Sequence, residues 1–139
     1  MSVTENSRDE ALVQAAQDYI RYANDRNVDG MLSLFDEDAV YINAGGLGSS
    51  YPLAAVGWDN IYTRHKQFID SIENGFWDVP DYRVTTKNVV EMELRQVTYT
   101  NRETGKMLRF SAMERLEFNE EGKFIQVSTY LTSPVEETQ

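Results

Sequence analysis

The sequence predicts an α+β fold in which one strongly curved antiparallel sheet is folded around a group of helices. Apolar residues recur at helical spacing in most of the first 74 residues, and from Tyr82 onward they alternate with polar residues instead. Because the helical pattern comes first and the strand pattern last, the order argues against a parallel doubly wound sheet. The 139 residues are expected to form a single domain that is large enough to enclose a cavity.

Two helices are predicted near the start of the chain. Ser7 and Glu10 have the spacing of a capping box, so the first helix is expected to begin there and to run to about Asp25. A second, short helix is expected over residues 28–35. The apolar faces of these helices are formed by Leu12, Ala15, Ala16, Tyr19 and Ala23 in the first and by Met31, Leu32, Leu34 and Phe35 in the second.

A strand and a third helix follow, with a glycine-rich loop between them. Residues 38–43, "DAVYIN", are rich in β-branched and aromatic side chains and predict the strand. The third helix is expected over residues 58–74, with Gly75 as the residue that stops it. Its apolar stripe comprises Ile61, His65, Phe68, Ile69 and Ile72.

The rest of the chain predicts an antiparallel meander. Residues 82–101 are expected to form one bent strand or two, and residues 107–118 and 123–132 are expected to form two more. The segments "RETGKM" and "NEEGK" have the composition of turns between these strands. Short polar tails are expected at about residues 1–6 and 134–139.

The glycine-rich loop "GGLGSS", residues 45–50, is not expected to bind a phosphate. A phosphate-binding loop of the Walker type needs a lysine directly after its last glycine, and no lysine precedes Lys66. A dinucleotide-binding loop needs a third glycine and a helix directly after it, whereas Pro52 interrupts the chain here. We therefore interpret the segment as a mobile connection and hypothesise that it is a lid over a pocket.

The composition excludes several classes of partner and site. Thirteen basic and 23 acidic residues give a net charge of −10 at pH 7, which disfavours nucleic acid and anionic membranes as partners. The absence of cysteine excludes disulfides, zinc–thiolate sites and thiol nucleophiles. One histidine and scattered carboxylates form no recognised ligand pattern, so no metal or other cofactor is predicted. Without a signal peptide or an apolar run of membrane-spanning length, a soluble, cytoplasmic protein is expected.

Three segments that together cover nearly the whole chain resemble one superfamily of proteins. They are "YIRYANDRNVDGMLSLFDEDAVY", "GWDNI" and "LEFNEEGKFIQVSTYL". In these segments the sequence resembles the SnoaL-like and ketosteroid-isomerase-like families of the NTF2-like superfamily. The resemblance implies a cone in which the sheet wraps over three helices around an apolar pocket for a small ligand, and it implies a homodimer. The superfamily includes isomerases, dehydratases, cyclases, epoxide hydrolases and non-catalytic modules, so the fold alone does not specify a function.

The resemblance to ketosteroid isomerases implies roles for three residues. Tyr19 lies where that family keeps the tyrosine of its oxyanion hole, and Glu114 lies where it keeps a protonated carboxylic acid. Asn43 lies where it keeps the aspartate base, and a carboxamide cannot accept that proton. Asn43 is therefore expected to orient the substrate or a water molecule.

A second resemblance is to limonene epoxide hydrolase. Tyr41 and Asn43 resemble the Tyr-x-Asn fragment with which that enzyme holds its attacking water. That family also needs an Asp-Arg-Asp set, and this chain has Glu93, Arg95 and Thr129 at the aligned positions. Since the last carboxylate is missing, epoxide hydrolysis is less well supported than isomerisation.

Glu114 is also the most informative residue without reference to any family. On the predicted strand 107–118 it shares one face with Leu108, Phe110, Ala112, Leu116 and Phe118. In that register, burial would raise the pKa of its carboxyl group and make it an acid near neutral pH. Two alternatives remain open: a β-bulge that turns Glu114 outward, or a buried pair with Arg83 or Arg95.

His65 is the one histidine of the chain and lies on the apolar stripe of the third helix. It is the natural general base if it reaches the pocket, and otherwise it is a hydrogen-bonded histidine at a contact between helix and sheet. Several aromatic residues are expected to bind the substrate, namely Tyr22, Tyr41, Trp58, Phe68, Phe110 and Tyr130.

The leading hypothesis is an isomerase, dehydratase or cyclase that uses cofactor-free acid–base chemistry on an apolar, oxygenated substrate of polyketide, steroid or terpenoid type. Tyr19 would donate a hydrogen bond to a carbonyl or developing enolate, Glu114 would be the acid or a second donor, and His65 would be the base. A non-catalytic module that binds a ligand or dimerises is the first alternative, and an epoxide hydrolase is the second.

Overall fold

The computed structural model describes residues 3–44 and 53–138. Within these ranges the helices are α1 Val3–Asn24, α2 Val28–Leu32 and α3 Trp58–Ser71. The strands are β1 Phe35–Ala44, β2 Leu53–Val56, β3 Ile72–Asp78, β4 Asp81–Thr86, β5 Val89–Asn101, β6 Met107–Phe118, β7 Phe124–Leu131 and β8 Glu136–Thr138.

The strands form one sheet in the order β2-β1-β7-β6-β5-β3, with β4 paired to β5 and β8 paired to β6. All of these pairs are antiparallel except β1 and β7, which run parallel. Register shifts interrupt five of the seven strand pairs, and such bulges bend and twist a sheet. The predicted α+β class, with helices inside a curved sheet, is confirmed.

Helix α1 begins earlier than the sequence pattern predicts. It starts at Val3, so the capping box predicted at Ser7 is wrong, and Ser7 lies inside the helix. A tertiary contact holds these first turns, because the guanidinium group of Arg8 donates to the side chain of Asn88 at 2.8 Å and to the backbone carbonyl oxygen of Asn119 at 2.8 Å. The contact joins α1 to the turns at the ends of β4 and β6.

Helix α3 ends at Ser71, three residues before the predicted end, and Gly75 lies in β3 instead of stopping the helix. Ile72 is already extended, with φ −127° and ψ 163°, and it pairs with β5. The guanidinium group of Arg26 donates to the carbonyl oxygens of Ile69 and Ile72 at 2.8 and 3.0 Å. A cation at the C-terminus of a helix satisfies free carbonyl groups and opposes the helix dipole.

The later strands agree closely with the alternation in the sequence. Residues 82–101 form two strands, β4 and β5, which are separated by a turn where Asn88 has φ +64°. Strand β6 has the predicted bounds, and Phe110, Ala112, Glu114, Leu116 and Phe118 are buried along it in alternation. Residues 136–138, where a polar tail is predicted, form β8. Strands β2 and β3 were not predicted.

The core lies between the helices and the concave face of the sheet. Helix α1 buries Leu12, Ala16, Tyr19, Ile20 and Ala23 against side chains from the sheet that include Val90, Met92, Leu116, Phe124 and Val127. No helix in the described part of the chain is long and apolar enough to cross a membrane. The cytoplasmic location stays a prediction.

Candidate active site

A cavity of about 210 Å³ lies between the concave face of the sheet and the helices. Its apolar wall includes Ile20, Ala23, Met31, Ile69, Leu94 and Val97. Polar groups reach it from both sides, and they belong to Tyr19 on α1, Arg64 and His65 on α3, Tyr41 and Asn43 on β1, Glu114 on β6 and Thr129 on β7. A largely apolar cavity with a few convergent polar groups is the usual form of a small-molecule site.

Seven of the ten candidate residues line this cavity. They are Tyr19, Tyr41, Asn43, His65, Phe68, Phe110 and Glu114. All four residues proposed from the sequence for catalysis are among them. The structure therefore brings together side chains that lie as far apart in the sequence as α1 and β6.

The other three candidates, Tyr22, Trp58 and Tyr130, do not line the cavity. The guanidinium group of Arg21 lies over the ring of Tyr22, and Cζ of Arg21 is 4.6 Å from the ring centroid. Trp58 donates from Nε1 to the carbonyl oxygen of Leu32 at 2.8 Å, so its indole joins α3 to α2. Tyr130 is 44% exposed, because its neighbours on β7 point into the cavity and it points outward.

Glu114 is buried in the wall that β6 contributes, with 6% of its surface exposed. The bulge considered from the sequence does not occur here, since the pairings of Glu114 with β5 and β7 are regular. The buried arginine pair does not occur either, because Arg83 and Arg95 are exposed and lie beside Asp81 and Asp78. Loss of hydration raises the pKa of Glu114 to about 8. The carboxyl group is therefore mostly protonated at pH 7.

Tyr19 and His65 form a hydrogen-bonded pair on the opposite wall. Tyr19 Oη lies 2.7 Å from Nε2 of His65, and His65 Nδ1 lies 2.9 Å from the carbonyl oxygen of Ile61. A carbonyl oxygen can only accept, so Nδ1 carries the imidazole proton and Nε2 is the acceptor in neutral histidine. The Tyr19 hydroxyl group therefore donates to His65 and offers only lone pairs to the cavity.

Aromatic rings surround His65 on several sides. The ring centroids of Tyr19, Phe35 and Tyr41 lie 6.0, 5.6 and 5.0 Å from that of the imidazole. Burial in this setting lowers the pKa of His65 to about 4, so the ring is neutral near pH 7. His65 thus combines the two alternatives considered from the sequence: it faces the cavity and is hydrogen-bonded in the core.

Glu114, Thr129 and Asn43 form a polar row across three neighbouring strands. The sheet register pairs Glu114 with Thr129 and Thr129 with Asn43, and paired strands lie about 4.8 Å apart. Within the described ranges, Oε1 of Glu114 and Oγ1 of Thr129 are buried and have no partner at good hydrogen-bond geometry. The Thr129 hydroxyl group is nevertheless close enough to Glu114 and Tyr41 to oppose part of the increase that burial causes in the pKa of each. Buried polar atoms without such a partner are rare in folded proteins, and at a cavity wall they are free to bind a ligand or a water molecule.

Three of the polar and aromatic residues that line the cavity were missed as site residues by the sequence reasoning. Thr129 was considered only as the missing carboxylate of the epoxide hydrolases, although the alternation along β7 places it on the inner face. Arg64 lies three residues after Ile61, which is the spacing of the apolar stripe on α3. Trp77 belongs to β3, which was not predicted as a strand.

The predicted lid, residues 45–50 with Pro52, lies outside the described residues. The strand that precedes it does reach the cavity, because Tyr41 and Asn43 on β1 both line the wall. The lid hypothesis therefore stays a prediction.

The described side chains contain no group of three or more His, Asp or Glu residues that is placed to hold a metal ion. Two of the residues aligned with the epoxide hydrolase set, Glu93 and Arg95, are exposed and lie outside the cavity. Arg95 forms an ion pair with Asp78 at 2.7 Å. Of that set, the cavity contains Thr129 alone.

A family model described as a SnoaL-like domain matches residues 16–127 of this chain. A structure of an LEH-like epoxide hydrolase from Mycobacterium tuberculosis superposes with a TM-score of 0.70 at 13% identity, over 88% of this chain and 83% of that chain. A protein with a ketosteroid isomerase-like fold from Catenulispora acidiphila, in complex with trimethylamine, superposes with a TM-score of 0.70 at 14% identity, over 84% and 83% of the two chains.

A third similar structure is SalBIII, an epoxide hydrolase/cyclase-like enzyme with a role in pyran ring formation in the polyether salinomycin. It superposes with a TM-score of 0.69 at 16% identity, over 91% of this chain and 92% of that chain. At such identities the likeness establishes the NTF2-like fold and not the reaction. No curated protein matches the sequence.

Proposed function

The chain belongs to the SnoaL-like domain family, and from this premise we propose that it is an isomerase, dehydratase or cyclase of small, apolar, oxygenated molecules. The observation that carries the proposal is a buried carboxylic acid, Glu114, that shares an apolar cavity with a hydrogen-bonded pair, Tyr19 and His65. The acid lies on the sheet and the pair lies on the helices. A substrate between the two walls has a proton donor on one side and a proton acceptor on the other.

Glu114 is the acid in this proposal. With a pKa of about 8, it is protonated at pH 7, yet its pKa is close enough to neutrality for it to give the proton up and take it back. Efficient general acids and bases have a pKa near the working pH. The carboxyl group would donate to a carbonyl, hydroxyl or ether oxygen of the substrate.

Tyr19 and His65 act together as the base in this proposal. The substrate proton would pass to a lone pair of Tyr19 Oη, while the hydroxyl proton of Tyr19 passes along the 2.7 Å hydrogen bond to Nε2 of His65. The electron pair of the broken bond stays on the substrate, and the same proton returns in a later step. Because His65 has a pKa of about 4, it is a weak base. The transfer therefore depends on the negative charge that forms on the substrate at the same time.

The other polar residues have supporting roles in this proposal. Asn43 and Tyr41 orient the substrate at the end of β1, in agreement with the role expected for a carboxamide that replaces a basic residue.

The volume of the cavity limits the size of the substrate. A cavity of about 150 Å³ holds benzene, so the volume of about 210 Å³ suits a substrate of one or two rings, or one end of a longer chain. The four rings of a steroid fit this volume less well.

A panel of small ketones and alcohols tests the proposal. One- and two-ring β,γ-unsaturated ketones report isomerisation, β-hydroxy ketones report dehydration, and hydroxy epoxides report ring closure. On any substrate that is turned over, Glu114→Gln should lower kcat/KM at least about 100-fold, and the rate of the wild type should fall above pH 8. The control is Glu93→Gln on exposed β5 surface, which should change neither.

Two results would contradict the proposal. Wild-type kinetics in Glu114→Gln would show that Glu114 is not the acid of the reaction. Binding of several panel members to the cavity with turnover of none would favour the alternative, a non-catalytic ligand-binding module.

The proposal includes a homodimer that forms through the convex face of the sheet. All of the large apolar side chains that stay exposed in the described part of the chain lie on strands and none on a helix: Val56, Phe76, Met107, Ile125 and Tyr130. Exposed apolar groups on one surface are typical of a protein interface. Sedimentation of the wild type and of Tyr130→Glu tests this, and a monomeric wild type would contradict it.

A further inference from the structure

Hydrogen-bond donors are distributed unevenly between the two walls of the cavity. On the helix wall, the hydroxyl proton of Tyr19 is engaged with His65. On the sheet wall, Glu114 and Thr129 each have a buried oxygen without a partner in the described part of the chain. An oxygen atom of a ligand therefore finds available donors at Glu114 and Thr129 on the sheet, whereas the Tyr19–His65 pair offers it lone pairs; on the helix side, Arg64 is the cavity residue that can still donate.

The two unpartnered groups are placed to act on one atom. Glu114 and Thr129 are directly opposite each other on β6 and β7, both line the cavity, and directly opposed residues have their Cβ atoms about 5 Å apart. A single oxygen above the midpoint of the pair is within reach of both side chains. Because the site is buried, hydrogen bonds there compete with little water and are stronger than at the surface.

We propose that Glu114 and Thr129 together bind the reacting oxygen of the substrate, and that Thr129 takes the place of Tyr19 as its second hydrogen-bond donor. The site suits a carbonyl oxygen that becomes negative during the reaction, such as that of a ketone that is converted to its enolate. In that step the C–H electron pair moves into the enolate, its proton moves to Tyr19 and the charge gathers on the oxygen between Glu114 and Thr129. The inference rests on the proposed function for the identity of the base.

The stability of the free protein distinguishes two possible roles of the Thr129 hydroxyl group. If the hydroxyl group of Thr129 served only to hold Glu114 in place, its removal would destabilise the free protein. If the hydroxyl group is unpaired until a ligand binds, its replacement by a methyl group removes a buried polar group without a partner. Thr129→Val, which keeps the shape of the side chain, should then melt at the temperature of the wild type or above it.

The test combines this stability measurement with the binding of 4-nitrophenolate, a one-ring oxyanion whose absorbance reports its ionisation. The wild type should bind the probe at pH 7, and T129V should bind it about tenfold or more weakly, because a hydrogen bond to a charged oxygen is lost. T129S keeps the hydroxyl group and should bind within about threefold of the wild type. The inference is overturned if the wild type does not bind the probe, if T129V binds it as tightly as the wild type, or if T129V melts lower and T129S restores the melting temperature.

The experiment separates this inference from the proposed function. Loss of turnover in Glu114→Gln together with unchanged probe binding in T129V would refute the role of Thr129 and leave the acid–base mechanism in place. If T129V binds the probe more weakly but the wild type turns over no member of the panel, the role of Thr129 in binding an oxygen is supported and the proposed catalytic function is refuted.

Discussion

The raised pKa of Glu114 makes a quantitative prediction about folding. Glu114→Gln replaces the carboxylic acid by a neutral group of the same shape, so it should change little when Glu114 is protonated in both the folded and unfolded states. Above the usual pKa of 4.5, the unfolded protein loses this proton, whereas the folded protein keeps it up to a pKa of about 8. The folded state keeps this proton in the window, so the ionisation of Glu114 lowers the free energy of unfolding of the wild type relative to that of Glu114→Gln as the pH rises from 4.5 to 8.

The size of the effect follows from the two pKa values. Over the full window of 3.5 pKa units, 8 minus 4.5, the wild type loses about 5 kcal/mol relative to Glu114→Gln. About 2.5 kcal/mol of this loss falls between pH 5 and pH 7. The titration of His65 is common to both proteins, so it cancels in the difference between them.

Urea unfolding at pH 5, 7 and 8.5 measures this difference by linear extrapolation. The free energy of unfolding of Glu114→Gln should increase relative to that of the wild type at each step to higher pH. Glu93→Gln, a change at an exposed carboxylate on neighbouring β5, should have the same pH dependence as the wild type. A constant difference between Glu114→Gln and the wild type across this range would show that Glu114 ionises normally. Its role as a proton donor at neutral pH would then be lost.

Three further predictions follow from hydrogen bonds and burial elsewhere in the core. Because burial lowers the pKa of His65 to about 4, the free energy of unfolding of the wild type should fall by about 3 kcal/mol relative to that of His65→Gln as the pH falls from 6.5 to 4. Urea unfolding of both proteins measures this difference, in which the titration of Glu114 cancels, and a difference that does not change with pH would refute the buried, neutral state of His65. Tyr19→Phe leaves Nε2 of His65 buried without its donor, so it should lower the free energy of unfolding at pH 7 by about 1–3 kcal/mol, and wild-type stability would argue against the bond. Arg8→Ala should lower the free energy of unfolding by about 1–3 kcal/mol, because it removes hydrogen bonds to two turns. The control is Arg21→Ala, a change at an exposed ion pair, and an equal effect of the two substitutions would contradict the anchoring of α1 by Arg8.

The parts of the fold that the sequence predicted are those determined by local patterns. Strand β6 has the predicted bounds because its alternation is regular along all twelve residues. Strand β3 could not be predicted in the same way, because its pairing with β5 involves residues about 20–30 positions away, and a bulge between Glu73 and Phe76 breaks its alternation. The parallel pairing of β1 with β7 joins residues 35–44 to residues 124–131, and no local pattern encodes it.

The same distinction applies to the candidate site. The inward orientation of Glu114 follows from period two along a single strand, and the position of His65 follows from the stripe of a single helix. Trp58 and Tyr22 were expected at the cavity because they are aromatic, yet their partners are Leu32 and Arg21. Composition does not contain such contacts, because they depend on how the helices pack.

The direction of one hydrogen bond has the largest consequence for the mechanism. Tyr19 lies where the ketosteroid isomerases keep the tyrosine of their oxyanion hole, and this resemblance implies that Tyr19 donates a hydrogen bond to the substrate. In this chain His65 accepts the hydroxyl proton, because the carbonyl oxygen of Ile61 fixes the proton of the imidazole on Nδ1. Tyr19 can donate to a substrate only if it gives up this bond or if His65 becomes protonated, and a pKa of about 4 makes the second state rare at neutral pH. A histidine placed 46 residues from the tyrosine thus converts an expected donor into an acceptor. A negatively charged oxygen must then be held by other donors of the cavity, which are Glu114 and Thr129 on the sheet and Arg64 on α3.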